Sequence, residues 1–158
     1  MRMRLMLLGA AIALATACAP TAGRTPESGS AMPPSIVEPY LEIQAALADD
    51  STDNVKANAG KIATAATALG APAMKIDTAA VQLSAAADAA EPDIDTVRDR
   101  FGVLSDAIDT YMTGLKLSPP DGVRVAYCPM VKKPWMQRGD AIMNPYYGKE
   151  MQTCGSFR

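Results

Sequence analysis

The sequence predicts an all-α fold: an up-down four-helix bundle followed by an irregular C-terminal extension rich in cysteine, methionine and aromatic residues. Three observations carry that expectation. Apolar residues recur at helical spacing from Ile36 to about Leu117. Turn and breaker residues cut this stretch into four segments with short connections, which favours antiparallel neighbours. Beyond Pro119, Pro120, Asp121 and Gly122 the helical periodicity stops, and Pro134, Gly139, Pro145, Gly148 and Gly155 argue against a further long helix.

Ahead of the bundle, Arg2 and Arg4 form a positive region and Leu5 to Leu14 an uncharged apolar stretch, the pattern of a signal peptide over residues 1–17. About ten apolar residues are too few to cross roughly 30 Å of hydrocarbon. Ala15, Thr16, Ala17 and Cys18 resemble the lipobox at which bacterial signal peptidase II cuts, with Ala15 where Leu is usual. Ordinary cleavage after small residues is the alternative. The lipobox reading makes Cys18 a lipidated anchor, since several acyl chains hold a protein firmly at a membrane. Ala19 after it resembles the outer-membrane sorting pattern, so the expected setting is the periplasmic face of that membrane. Residues 18–35, with Pro20, Gly23, Pro26, Ser28, Gly29, Ser30, Pro33, Pro34 and Ser35, read as the tether and linker. Residues 36–158 are then one helical-bundle domain whose tail is 123–158.

The first helix places Val37, Tyr40, Leu41 and Leu47 on one side and stops near Asp49 and Asp50. Ser51 is a candidate N-cap for the second, which turns Val55, Ile62, Ala66 and Leu69 inward and ends at Gly70 and Pro72. The third uses Ile76, Ala80, Leu83 and Ala87 and closes before Pro92. In the fourth, Ile94, Val97, Phe101, Leu104, Ile108, Tyr111 and Leu115 fall at steps of three and four, the cleanest periodicity in the chain. Asp93, Asp95, Asp99, Asp106 and Asp109 follow its opposite, solvated face. Val123 to Tyr127 alternate as a short strand would and lead into Cys128. Tyr127, Trp135, Tyr146, Tyr147 and Phe157 mark the tail as a segment that packs back onto the bundle.

Composition excludes several functions. The chain carries a net charge of −2 with no basic block, which gives no electrostatic reason to bind nucleic acid. Histidine is absent, so Ser-His-Asp and Cys-His machinery, an imidazole base and His-ligated zinc are all excluded. No phosphate loop or nucleophile elbow is present either, and no enzyme is expected. Of the three cysteines, Cys18 belongs to the lipobox, which leaves Cys128 and Cys154 as a pair in an oxidising compartment.

Cys128 and Met130 flank a proline, and Met151 and Cys154 lie three apart. A fold that joins these segments would present two sulfur atoms from each. Thiolate and thioether are soft donors suited to Cu(I) or Ag(I), and Trp135 or a nearby tyrosine would shield the site or stack on the cation. Asn144, Pro145 and Gly148 would set the turn that aims Met151 and Cys154 at Cys128. The plainer reading is a Cys128–Cys154 disulfide, worth roughly 3 to 4 kcal/mol on the chain-entropy model, with the methionines as ordinary packing.

The residues Arg98, Phe101, Leu104 and Ser105, then Tyr127 to Met130, Trp135, Ile142 to Gly148, Met151, Cys154 and Gly155 together resemble a bacterial domain family of unknown function. That family occurs in periplasmic lipoproteins and at the C-terminal end of some adaptor subunits of copper and silver efflux pumps. The resemblance spans about Val37 to Gly155. It implies an all-helical bundle with a Cys/Met-bearing tail, a periplasmic setting and a link to copper. The expected function is therefore a membrane-tethered accessory protein that binds Cu(I) or Ag(I) through Cys128, Met130, Met151 and Cys154 and serves a heavy-metal efflux system. The competing expectation is a metal-free interaction module that docks an efflux adaptor or another envelope protein, with Cys128 and Cys154 as a structural disulfide.

Overall fold

A computed structural model describes residues 29–158. The expected signal peptide, the lipidated Cys18 and the first part of the linker lie outside the described residues. Helices α1 (Pro34–Ala48), α2 (Val55–Leu69), α3 (Met74–Ala86) and α4 (Ile94–Leu115) are followed by strands β1 (Val123–Cys128), β2 (Lys133–Arg138) and β3 (Ser156–Phe157). Each helix packs on the next in sequence. Among the described residues no helix is long and apolar enough to cross a membrane.

The all-α expectation is wrong. The tail builds a three-stranded antiparallel sheet in the order β2-β1-β3. In β1–β2 the register runs from Val123 opposite Arg138 to Cys128 opposite Lys133. Strand β3 pairs Ala126 with Phe157 and Tyr127 with Ser156. Strand β2 packs against both α4 and α1, so a strand occupies the side where a regular up-down bundle would join its first and last helices. β1 forms where the sequence places a strand, but its burial does not follow the expected alternation, since Val123, Ala126 and Cys128 are buried and Val125 and Tyr127 half-buried, and in β2 Pro134 to Gln137 are all buried. A strand covered on both faces shows no period-two signal, and Pro134 is tolerated because β2 is an edge strand of the sheet.

The helix ends show the local chemistry. Pro34 opens α1 at a position where the missing N–H costs nothing. Its C-terminus is a Schellman turn in which Ser51 N–H donates to the Ala46 carbonyl (2.9 Å), with Asp50 left-handed at φ 60°. Ser51 is therefore committed to ending α1, and its hydroxyl accepts from Asp53 N–H. Asn54, also left-handed, starts α2 in place of the expected Ser51 cap. Asp93 caps α4 by accepting from Thr96 N–H at 3.1 Å. Two of the acidic residues on α4 hold the tail rather than only facing water: Asp106 pairs with Lys133 and Asp109 with Arg158.

Part of the segment read as linker is packed. Met32 is fully buried, and its N–H donates to the Ser118 carbonyl at 2.9 Å, so the chain enters beside the exit of α4.

One charged residue lies on the core face of α4. The Arg98 side chain is 10% exposed; its Nε donates to the Pro145 carbonyl (3.1 Å) and its Nη2 to the Leu47 carbonyl (3.0 Å) and to Asp50 Oδ1 (2.6 Å). Asp50 Oδ2 also accepts from Lys149 N–H at 3.3 Å. One guanidinium thus joins the end of α1, the start of α4 and the tail. Gly148 (φ 54°) lies against this group, and a Cβ there would overlap both Asp50 and Arg98.

Two outcomes follow. Arg98→Met removes the donor to the Pro145 carbonyl and one of two donors to the Leu47 carbonyl and leaves Asp50 without its ion-pair partner, and Gly148→Ala displaces the ion pair; each should cost about 2–4 kcal/mol in urea unfolding, whereas an exposed change such as Lys61→Met should cost little. The hydrogen bond from Arg98, helped by Lys149 N–H, holds the Asp50 carboxyl below its usual range. Folded Asp50 therefore binds fewer protons than unfolded Asp50, and its contribution is complete above about pH 4 and lost as pH falls through the lower folded value. The melting temperature should drop more steeply between about pH 6 and about pH 3 in the wild type than in Asp50→Asn.

Candidate metal centre

The candidate centre forms where the tail covers the sheet. Trp135 lies opposite Ala126, one residue pair from Tyr127, and is 1% exposed. Its indole N–H donates to Gln137 Oε1 (2.9 Å), which also accepts from Met143 N–H (3.0 Å), while Gln137 Nε2 donates to the Ala141 carbonyl (2.6 Å). The chain leaving β2 is thereby folded back over the strand it has just formed. Gln44 on α1 donates to the Met143 carbonyl (2.8 Å) and fixes this return to the bundle.

Asn144 then sets the next turn. It is fully buried and all of its hydrogen-bonding groups are used: N–H to the Gln152 carbonyl (2.7 Å), Nδ2 to the Cys154 carbonyl (2.7 Å), Oδ1 from Tyr146 N–H (2.8 Å) and its carbonyl from Gly148 N–H (3.2 Å). Two of those bonds grip the segment that carries Cys154. Gln152 reaches α1 by donating to the Ala48 carbonyl at 3.1 Å. Beyond Cys154 the chain must lie on the indole, and Gly155 permits it: φ is +137°, and a Cβ would stand 2.6 Å from Trp135 Cη2 and 2.9 Å from the Tyr127 carbonyl oxygen. Tyr146 packs edge-on against Trp135 (centroids 6.0 Å apart) and donates its hydroxyl to the Pro134 carbonyl.

The result is a pair of thiols. β1 ends in Cys128 and β3 begins two residues after Cys154; one step beyond the Tyr127–Ser156 pair, the register sets Gly155 opposite Cys128, with Cys154 next to it. The end of β1 and the segment entering β3 thus make the two cysteines neighbours, and both sulfurs are free thiols. Cys128 is fully buried in the core and Cys154 half-exposed. Burial, then the neighbouring Cys128, pushes the Cys154 thiol up from its ordinary value, so a metal entering here must displace protons.

The four expected sulfur donors divide. Cys128 and Cys154 are brought together. Met130 stands 61% exposed on the turn between β1 and β2, and Met151 is half-buried just after the short turn Gly148–Glu150. The expected turn-setting triad also divides: Asn144 holds Cys154, whereas Pro145 and Gly148 serve Arg98 and Asp50. Among the described residues no three of Cys, Asp and Glu gather as a metal-binding group. Gln137, Gln44 and Gly155 have no counterpart in the sequence reading as positioning groups. The sequence signal for Gly155 was its place directly after Cys154; the glutamines gave none, because isolated Gln residues normally face water.

No protein-family profile matches this chain, and neither a curated protein nor a solved structure matches it significantly.

Asn144→Ala tests how the thiols are positioned. It leaves the Cys154 carbonyl and Tyr146 N–H without partners, so it should cost about 2–4 kcal/mol and speed alkylation of Cys154 relative to the wild type. Unchanged alkylation would show that β3 alone holds the segment.

Proposed function

We propose that this protein is a lipid-anchored accessory protein of the periplasmic face of the outer membrane that binds Cu(I) or Ag(I) and passes it to, or regulates, a heavy-metal efflux system. The observation that carries the reading is the placing of Cys128 and Cys154 as neighbours where β1 meets the segment entering β3, the first fully buried and the second half-buried. The residues fit a soft monovalent ion. Two neighbouring thiols from separate chain segments supply the core of a thiolate site, and thiolate donors favour a soft ion over harder cations. Met151, on the same clipped segment as Cys154, is the thioether best placed to join them. Met130, on the exposed turn, is suited to capturing the ion or handing it on. Trp135 and Tyr146 wall the buried side against water.

The Cys18 anchor and the efflux partner come from the leader sequence and from the family resemblance. A second reading draws on the same placing: two neighbouring thiols in an exported protein close as a permanent disulfide, the tail is a stapled surface, and the protein is a metal-free interaction module of the envelope.

Titration of the reduced, envelope-extracted protein with Cu(I) against a chromophoric chelator separates the two. One equivalent should bind and quench the emission of Trp135, the single tryptophan. Cys154→Ser and Cys128→Ser should abolish competition, and the double change Met130→Leu, Met151→Leu should weaken it by about 10–100-fold, as expected for supporting groups. No competition by the reduced wild type would leave the interaction module.

A further inference from the structure

The two sulfurs of the pair differ in access, and that difference assigns them separate chemical roles. We propose that Cys154 is a thiol–disulfide exchange site for a disulfide-bearing oxidant, with Cys128 as the resolving thiol, so that oxidation closes the pair and removes the soft-metal site. The exchange step stands on the neighbouring placement and unequal burial of the two thiols, and its consequence for metal rests on the copper reading above.

Cys128 is fully buried, with Trp135 and Tyr146 in the same core, and no oxidant can reach it without opening the sheet. Cys154 is half-exposed on a segment held by Asn144 and by a strand of two residues. Exchange therefore starts at Cys154. Its thiol loses a proton and attacks one sulfur of the oxidant's disulfide; a Cys154–oxidant bond forms as the oxidant's own S–S bond breaks, and the sulfur released takes up a proton. Cys128, the neighbour of Cys154 across the β1–β3 junction, gives up its proton and attacks the Cys154 sulfur, forming the Cys128–Cys154 bond and expelling the second oxidant sulfur as a thiol. Two protein thiols are oxidised and one disulfide is reduced to two thiols. The register of β1 and β3, extended one step, sets Gly155 opposite Cys128 and so makes Cys154 its diagonal neighbour, which keeps the closing movement local. The new bond ties the sheet to the tail that covers it, a link otherwise made there by the two residue pairs of β3 and the Asn144 bonds. With both sulfurs in a disulfide, no thiolate remains to hold Cu(I) or Ag(I).

The test uses the envelope-extracted protein, reduced, stripped of metal and treated with glutathione disulfide, with each thiol followed by peptide mass mapping. Wild-type protein should lose both thiols and keep no glutathione. Cys128→Ser should accumulate one glutathione on Cys154, and Cys154→Ser should react at least about tenfold more slowly because its remaining thiol is inaccessible. Should the serine at position 128 perturb folding, as read from Trp135 emission, wild-type protein quenched early replaces it and should carry its first adduct on Cys154. A first adduct on Cys128, equal rates in the two variants, or two surviving thiols in folded wild type would each overturn the proposal. The Cu(I) titration, run on reduced and on oxidised protein, keeps the two readings apart. Binding by the reduced form without oxidation by glutathione disulfide defeats the exchange site alone. Ordered oxidation without Cu(I) binding defeats only the metal function.

Discussion

The buried guanidinium of Arg98 is the interaction on which the rest of the arrangement depends. It leaves the core face of α4 and joins the Leu47 carbonyl at the end of α1, the Asp50 carboxylate and the Pro145 carbonyl of the tail. A charge this deeply placed is tolerated only when its donors are satisfied, so each partner is constrained in turn. Asp50 adopts a left-handed backbone that few side chains accept. Gly148 has no side chain because the ion pair fills that space.

From this anchor the tail is held to the bundle mainly by polar clips to its backbone. Gln44 and Gln152 tie it to α1, Gln137 ties it to its own strand, and Asn144 ties one of its turns to the next. Alanine-rich helices bury little apolar area apiece, whereas Trp135, Tyr146, Phe101 and Tyr40 concentrate aromatic contact between the sheet and the helices. The place where the chain can bring two thiols together is thus also the place where its packing is most specific. Burial of Cys128 and exposure of Cys154 are consequences of which residue lies in the sheet and which lies in its cover.

Much of the helical half was legible in the sequence because its apolar residues repeat with the helical period: the four helices appear where Val37, Ile62, Leu83 and Phe101 place them. The sheet was half legible. β1 alternates and could be read, but β2 is buried on both faces and contains Pro134, so it gives neither the alternation nor the composition of an exposed hairpin. β3, two residues long, is too short to carry a pattern. Arg98 did carry a signal, since it stands three residues before Phe101 on the apolar face, but a charge at such a position shows its purpose only when its partners from α1 and the tail are in place. For the candidate site, residue types and spacing singled out Cys128 and Cys154, and the sheet register that makes them neighbours depends on β3, which has no pattern of its own. Nor could the spacing predict that Met130 would stay on an exposed turn, because that depends on the length of the hairpin.

The proposed function draws these features together: a rigid aromatic floor, one buried thiol fixed by a strand, and one accessible thiol presented by a clipped segment that also carries Met151. Such a site would take a soft ion from one side only and release it when the accessible sulfur is attacked. The most direct test of the central claim, that this pair is a sulfur site for Cu(I), is the copper K-edge X-ray absorption spectrum of the reduced protein loaded with one equivalent. The account predicts a first shell made of sulfur alone. A shell of nitrogen or oxygen, or copper that stays with the buffer, would contradict it.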